Sequence, residues 1–235
     1  MNTQTVLRFE ADWYENLLST STEKVKLISK LYEIIENKKF RSIIEVGMGT
    51  TPIFAQALSS IVTRYLIVEK ENYLTELPEN VEFLNDCFEG LDLSEKFDAA
   101  ILSHVIYYFN DLREGISKSL MNLNPGGSAF FVVNGPGHHY GPLKEAFSCM
   151  ASLPNNLTYY KLLKNLENKE FFEHTLDVEI PFDCYEKLYE SLRLFFDLSP
   201  REFIHHKREI IDWLKINVPN GKFIMEQKIL EVFKR

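Results

Sequence analysis

Ile43-Ile44-Glu45-Val46-Gly47-Met48-Gly49-Thr50-Thr51-Pro52 is the stretch that decides how this chain reads. A short apolar run with one acid has the length and character of a strand covered on both faces. It passes into two glycines and then into Thr51-Pro52, a pair suited to an N-cap and a first helical turn. The glycines let the backbone run close to a bound molecule, and the start of the helix offers unpaired N–H groups. Twenty residues past Gly49, a second apolar run, Tyr65-Leu66-Ile67-Val68, ends in Glu69. A carboxylate so placed can accept both hydroxyls of a ribose, and the combination reads as a nucleoside-cofactor site.

Strand and helix signals alternate outward from this point. Val25, Leu27, Ile28, Leu31, Ile34 and Ile35 fall at helical spacing over 23–37. Strands are predicted at 42–46, 65–69, 81–84, 97–102 and 128–133, with helices over 52–60 and 112–123. Asn124-Pro125-Gly126-Gly127 is a run of turn residues before the fifth strand. Beyond it, 135–142 reads as a Gly/Pro loop, 143–150 as a helix, and 153–176 as polar and without clear periodicity. A strand is expected at 176–182, helices at 185–196 and 201–216 (the second with Ser199 as N-cap), and a long strand at 222–233.

The composition limits the function classes. The 235 residues are 45% hydrophobic, enough for one α/β domain with a full core. A net charge of −8 disfavours nonspecific binding to phosphate backbones. Cys87, Cys149 and Cys184 are scattered, which fits reduced thiols in a cytoplasmic protein. Arg8, Glu10, Asp12 and Glu15 interrupt the N-terminus, so no signal peptide is expected, and no apolar run is long enough to span a bilayer. Neither nucleic acid nor membrane is an expected partner.

A dinucleotide turn carries a third glycine beneath the pyrophosphate, and here that part of the turn is Thr51-Pro52. The chain instead resembles the class I S-adenosylmethionine-dependent methyltransferases over roughly 41–134. Their first motif matches Glu45-Val46-Gly47-Met48-Gly49, and their ribose-binding acid falls on Glu69. Their adenine-contacting acid falls on Asp86 in Leu84-Asn85-Asp86-Cys87. Their fourth motif matches Phe97-Asp98-Ala99-Ala100-Ile101-Leu102-Ser103, and their turn before strand five matches Pro125-Gly126-Gly127. The resemblance implies S-adenosylmethionine as cofactor, held by Glu45, Gly47, Gly49, Glu69, Asp86, Cys87 and Ser103. It also implies a Rossmann-like, mostly parallel sheet with helices on both faces, an antiparallel last strand and a helical insertion before it. A single domain is expected, with 1–40 as a helical segment and candidate lid, 41–134 as the cofactor core and 135–235 on the substrate side.

The acceptor is less legible. Amino-methylating nucleic-acid enzymes carry Asp/Asn-Pro-Pro-aromatic after the fourth strand, where this chain has Leu102-Ser103-His104-Val105. Asp98 begins its strand at the wrong end for a metal ligand and only Asn134 sits well, so no metal is expected. His104, after strand four, and His138 and His139, after strand five, are candidates for proton transfer, since a neutral imidazole can take a proton near neutral pH. Solvated or packing roles are open for each of them. His205 and His206 read as surface residues of a helix. Tyr14, Tyr108, Asn134 and Tyr140 are candidate acceptor contacts, and aromatic walls suit a small amine or aromatic molecule. Tyr107 and Phe109 cannot both face one direction.

Ser103-His104-Val105-Ile106-Tyr107-Tyr108, Phe182-Asp183-Cys184-Tyr185 and Asp212-Trp213-Leu214 before Gly221-Lys222-Phe223 look like the histamine N-methyltransferase group. That layout implies a small-molecule N-methyltransferase scaffold and leaves the substrate open. The expected activity is metal-independent methyl transfer to a small nucleophile, at nitrogen or oxygen. Methylation of a peptide or protein, or a noncatalytic S-adenosylmethionine-binding partner protein, are the rival readings.

Overall fold

The computed structural model describes residues 11–72, 76–147, 158–196, 198–219 and 221–235. Helices α1 (Ala11–Thr20) and α2 (Glu23–Lys38) lead into β1 (Ser42–Val46). Then follow α3 (Ile53–Leu58), β2 (Arg64–Glu69), β3 (Val81–Asn85), β4 (Phe97–Ser103), α4 (Leu112–Met121) and β5 (Leu123–His138). The chain continues through α5 (Tyr140–Ala146), α6 (Thr158–Leu166), β6 (Phe171–Pro181), α7 (Tyr185–Ser191), α8 (Pro200–His205), α9 (Lys207–Asn217) and β7 (Lys222–Phe233).

The seven strands form one sheet in the order β3-β2-β1-β4-β5-β7-β6. The β1–β2, β2–β3, β1–β4 and β4–β5 pairs are parallel. Gly126 and Gly127 exchange backbone hydrogen bonds with Lys234, while His139 N–H donates to Ile224 O, so β7 runs antiparallel to β5. The bonds Phe233→Glu170 and Phe182→Gly221 likewise make β6 antiparallel to β7. Ile43 to Val46 and Tyr65 to Glu69 are buried without alternation, which requires cover on both faces of the sheet. The expected Rossmann-like architecture is therefore present.

The chain divides into two compact units. One comprises 25–133, 161–175 and 228–235, and holds β1 to β4. The other comprises 1–24, 134–160 and 176–227. It has its own core, in which Tyr189 stacks on Phe203 with ring centroids 4.1 Å apart and Val178, Leu188, Leu214 and Phe223 are fully buried. Within that second unit the Arg193 guanidinium lies between the rings of Trp13 (3.9 Å) and Phe203 (4.5 Å) and donates to Phe196 O and Leu198 O. It thereby fastens α1 to the core by cation–π contact.

Several boundaries differ from expectation for identifiable reasons. Thr51 does not cap α3: Pro52 occupies the N-cap position without a side-chain cap, and Thr51 O accepts from Ile53 N–H. The turn residues 124–127 do not precede β5 but interrupt it. Phe97 pairs with Leu123 and Ala99 with Ser128, so they are accommodated as an irregularity between two paired stretches. The Gly/Pro run after 134 continues β5 to His138, and α5 begins at Tyr140 where a loop was expected. The region 153–176 contains α6 and the start of β6, and 201–216 breaks at His206 into two helices. Ser199 caps α8 as expected, in a capping box with Glu202. Cys149 lies outside the described residues, while Cys87 and Cys184 are free thiols. Among the described residues, no helix is long and apolar enough to cross a membrane.

Candidate active site

Strand order reverses between β1 and β4, and open α/β sheets bind ligands at such a crevice, beyond the carboxyl ends of the strands. The residues expected to hold the cofactor sit there, all in the first unit. Gly47 has φ +74°, and a Cβ on it would lie 2.5 Å from Val105 Cγ2, so both its backbone and its surroundings require glycine. Its N–H donates to Val68 O at 2.9 Å, holding the turn against the end of β2. Gly49, with φ +69°, donates its N–H to Glu69 Oε2 at 3.2 Å.

Glu69 is the centre of this arrangement. Its Oε1 accepts from Glu71 N–H at 3.1 Å, and the Asn85 side-chain amide donates to the backbone carbonyls of Glu69 and Lys70. Burial pushes its carboxyl above the ordinary carboxylate value, opposed by the N–H groups of Glu71 and Gly49 and the charge of Lys70. Asp86 sits one residue past β3, where its N–H donates to Glu69 O and its Oδ1 accepts from Cys87 N–H at 2.7 Å. Asp86 and Cys87 are exposed, so both can meet a ligand.

Glu45 takes a different position. Its carboxylate is 2% exposed and accepts from the Tyr65 hydroxyl at 2.6 Å. The turn is thus supported from within the sheet by a buried pair, which the sequence motif did not indicate. Ser103 ends β4, and His104 follows at φ +54°, with Nδ1 3.1 Å from the Tyr107 hydroxyl. Tyr108 lies under Lys70 Nζ at 5.8 Å, while Tyr107 stacks on His104 and Phe109 on Phe88, so Tyr107 and Phe109 meet different neighbours.

Tyr14, Asn134, His138, His139 and Tyr140 belong to the second unit. Asn134 Oδ1 accepts from Gln227 Nε2 at 2.7 Å, and Gln227 also donates to Glu23 at 3.0 Å. The buried Tyr140 hydroxyl hydrogen-bonds the Asn134 side chain, and burial raises its phenol value. Tyr14 lies 5.6 Å from Lys24 Nζ. Glu23 and Gln227 were missed by sequence reasoning, and only their polarity within otherwise apolar periodic runs marks them.

The histidines separate by hydrogen bonding. His139 Nδ1 accepts from Ile224 N–H at 2.9 Å, which places the hydrogen of the neutral ring on Nε2. With Nδ1 so engaged, the neutral ring turns an N–H and not a lone pair outward. Burial, and then the neighbouring His138, lower its ionisation. His138 Nε2 is 2.9 Å from Asp177 Oδ1.

No protein-family model matches the chain. A curated relative, malonyl-[acyl-carrier protein] O-methyltransferase of Calditerrivibrio nitroreducens, is 24% identical over 170 residues, spanning 65% of this chain and 67% of that protein. A methyltransferase from Thiobacillus denitrificans, solved with S-adenosyl-L-homocysteine, superposes with a TM-score of 0.59 at 10% identity, covering 97% of this chain and all (100%) of that one. The N-methyltransferase NodS of Bradyrhizobium japonicum, also solved with S-adenosyl-L-homocysteine, gives 0.52 at 11% identity over 95% and 96% of the two chains. The fold of this chain is that of the class I S-adenosylmethionine-dependent methyltransferases.

Proposed function

We propose that this chain is an S-adenosylmethionine-dependent methyltransferase acting on a nitrogen or oxygen of a small molecule, with no metal taking part in the transfer. The observation that carries this reading is the Glu69 carboxylate at the end of β2, set 3.2 Å from Gly49 N–H beside the Gly47 turn. When bound, the cofactor supplies a methyl group activated by its sulfonium. Glu69 would accept hydrogen bonds from the ribose hydroxyls, Asp86 and Cys87 would meet the adenine, and the backbone at Gly47, Gly49 and Ser103 would take the methionine part. Glu45 supports the same turn through its bond to Tyr65.

Tyr14, Tyr108, Asn134 and Tyr140 are assigned to the acceptor. With the cofactor bound, these residues would align an acceptor lone pair with the methyl carbon, the carbon–sulfur electron pair would return to sulfur, and a base of the chain would take the acceptor proton. Such a displacement draws mainly on alignment and exclusion of water, which the chain supplies by positioning. His104, oriented by the Tyr107 hydroxyl, is assigned the proton, because His139 presents N–H and not a lone pair. The small-molecule nitrogen is favoured by the likeness of 103–108 and 182–185 to the histamine N-methyltransferase group. Oxygen is kept because the curated relative is named as an O-methyltransferase.

The test is transfer of labelled methyl from S-adenosylmethionine to panels of small amines, phenols and carboxylic acids, with peptides alongside. A labelled small molecule formed together with S-adenosylhomocysteine is expected. Label confined to peptides, or cofactor hydrolysis with no acceptor in any panel, would overturn the reading.

A further inference from the structure

We propose that His138, Asp177 and Glu226 form a binding site for a divalent transition-metal ion, separate from methyl transfer and independent of that reading. The three residues come from three neighbouring strands of the sheet: His138 ends β5, Glu226 lies on β7, and Asp177 lies on β6. All three belong to the second unit. Each turns one ligand atom to a common point, and these atoms lie within 4.8 Å of one another. His138 Nε2 and Asp177 Oδ1 are 2.9 Å apart.

A tetrahedral ion with bonds of about 2.0–2.2 Å holds its ligand atoms roughly 3.3 Å apart. One imidazole nitrogen and two carboxylate oxygens suit ions such as Zn²⁺ or Mn²⁺, and two negative charges draw the cation in. With only three protein ligands, one position is left for water.

Two features beyond the ligands fit this assignment. Gly137 N–H donates to Glu226 Oε2 at 3.1 Å, which orients the carboxylate from behind. A Cβ at Gly137 would lie 2.3 Å from the carboxyl carbon of Glu226, so glycine is what admits that carboxylate. The side chains of His138 and Asp177 are 40% and 61% exposed, giving an ion direct entry from solvent. An ion here would tie together the last three strands of the sequence, β5, β6 and β7.

The experiment uses the full chain, freed of metal by chelator dialysis, and titrates it with Zn²⁺ by calorimetry. His138→Asn keeps a residue that tolerates the left-handed backbone at φ +53°, and Asp177→Asn alters an exposed side chain that folding does not require. Matching circular dichroism of the metal-free proteins confirms that each variant is folded. One saturable site is expected in the parent chain, weakened at least tenfold in each variant, with Zn²⁺ raising Tm by several degrees in the parent alone. Absence of saturable binding up to millimolar Zn²⁺ would overturn the proposal. Equal binding by parent and variants would do so as well, by placing the ion elsewhere, for instance on His205-His206 or Cys87.

Discussion

The Tyr65 hydroxyl donates a 2.6 Å hydrogen bond to Glu45 Oε2, with the two residues 0% and 2% exposed. Tyr65 pairs with Ile43 on β1, so Glu45 is two residues further on and on the same face of the sheet. Burial, then the charge and hydrogen bond of Glu45, push the Tyr65 phenol well above its ordinary value. Tyr65→Phe would deprive a buried carboxylate of a donor, at a cost of about 1–3 kcal/mol. Urea unfolding should show a lower midpoint at unchanged slope, and equal midpoints would deny the bond this weight.

Gly47 and Gly126 both hold positive φ, at +74° and +81°, but their surroundings differ. A Cβ at Gly126 meets nothing within 4 Å, whereas at Gly47 it collides with Val105. Gly126→Ala should therefore cost only the left-handed backbone term, about 1–2 kcal/mol. Gly47→Ala should cost measurably more and also weaken S-adenosylhomocysteine binding. Equal losses in the two variants would mean that Val105 yields freely and that the turn does not need its close approach.

Sequence reading succeeded where one local rule decides the outcome. Buried parallel strands are unbroken apolar runs, so β1 and β2 were legible to within a residue. The acids expected at strand ends, Glu69 and Asp86, stand there because the parallel register carries β2 and β3 to a common edge. It failed where pairing partners override local chemistry. Asn124 to Gly127 read as a turn, yet β4 and β7 on either side hold them within a strand. The tautomer of His139 was not legible, because only the neighbouring Ile224 N–H fixes it. Gln227 was invisible for the same reason: its partners Glu23 and Asn134 lie far from it in sequence.

His139 makes stability depend on pH in a defined direction. Its ionisation is lowered in the fold, first by burial and then by the charge of the neighbouring His138. The unfolded chain, with an ordinary value of about 6.5, binds that proton more readily. The stabilisation is thus complete above that value and is lost as pH falls through the lowered folded value. His139→Asn keeps an acceptor near Nδ1 without a titrating group. Thermal unfolding from pH 8 to 5 should show a smaller acid-side decline in this variant, and parallel curves would exclude His139 as a source of it.

Glu69 sets folding and ligand binding against each other. Burial raises its carboxyl above the ordinary value of about 4.3, so its contribution to the empty fold is present below that value and lost as pH rises through the folded one. Ribose hydroxyls donate to a carboxylate, so cofactor binding needs the ionised form and should weaken as pH falls through the same raised value. Glu69→Gln removes the charge and offers one acceptor oxygen where two are used, by Gly49 and Glu71. Loss of charge-assisted bonds should weaken S-adenosylhomocysteine by about 10- to 100-fold, equivalent to roughly 1.4–2.8 kcal/mol. The variant should also lose the acid-side dependence of affinity. Calorimetry at several pH values reads both quantities in one series. An unchanged affinity with an unchanged pH slope would remove Glu69 from the ribose and, with it, the observation on which the methyltransferase reading rests.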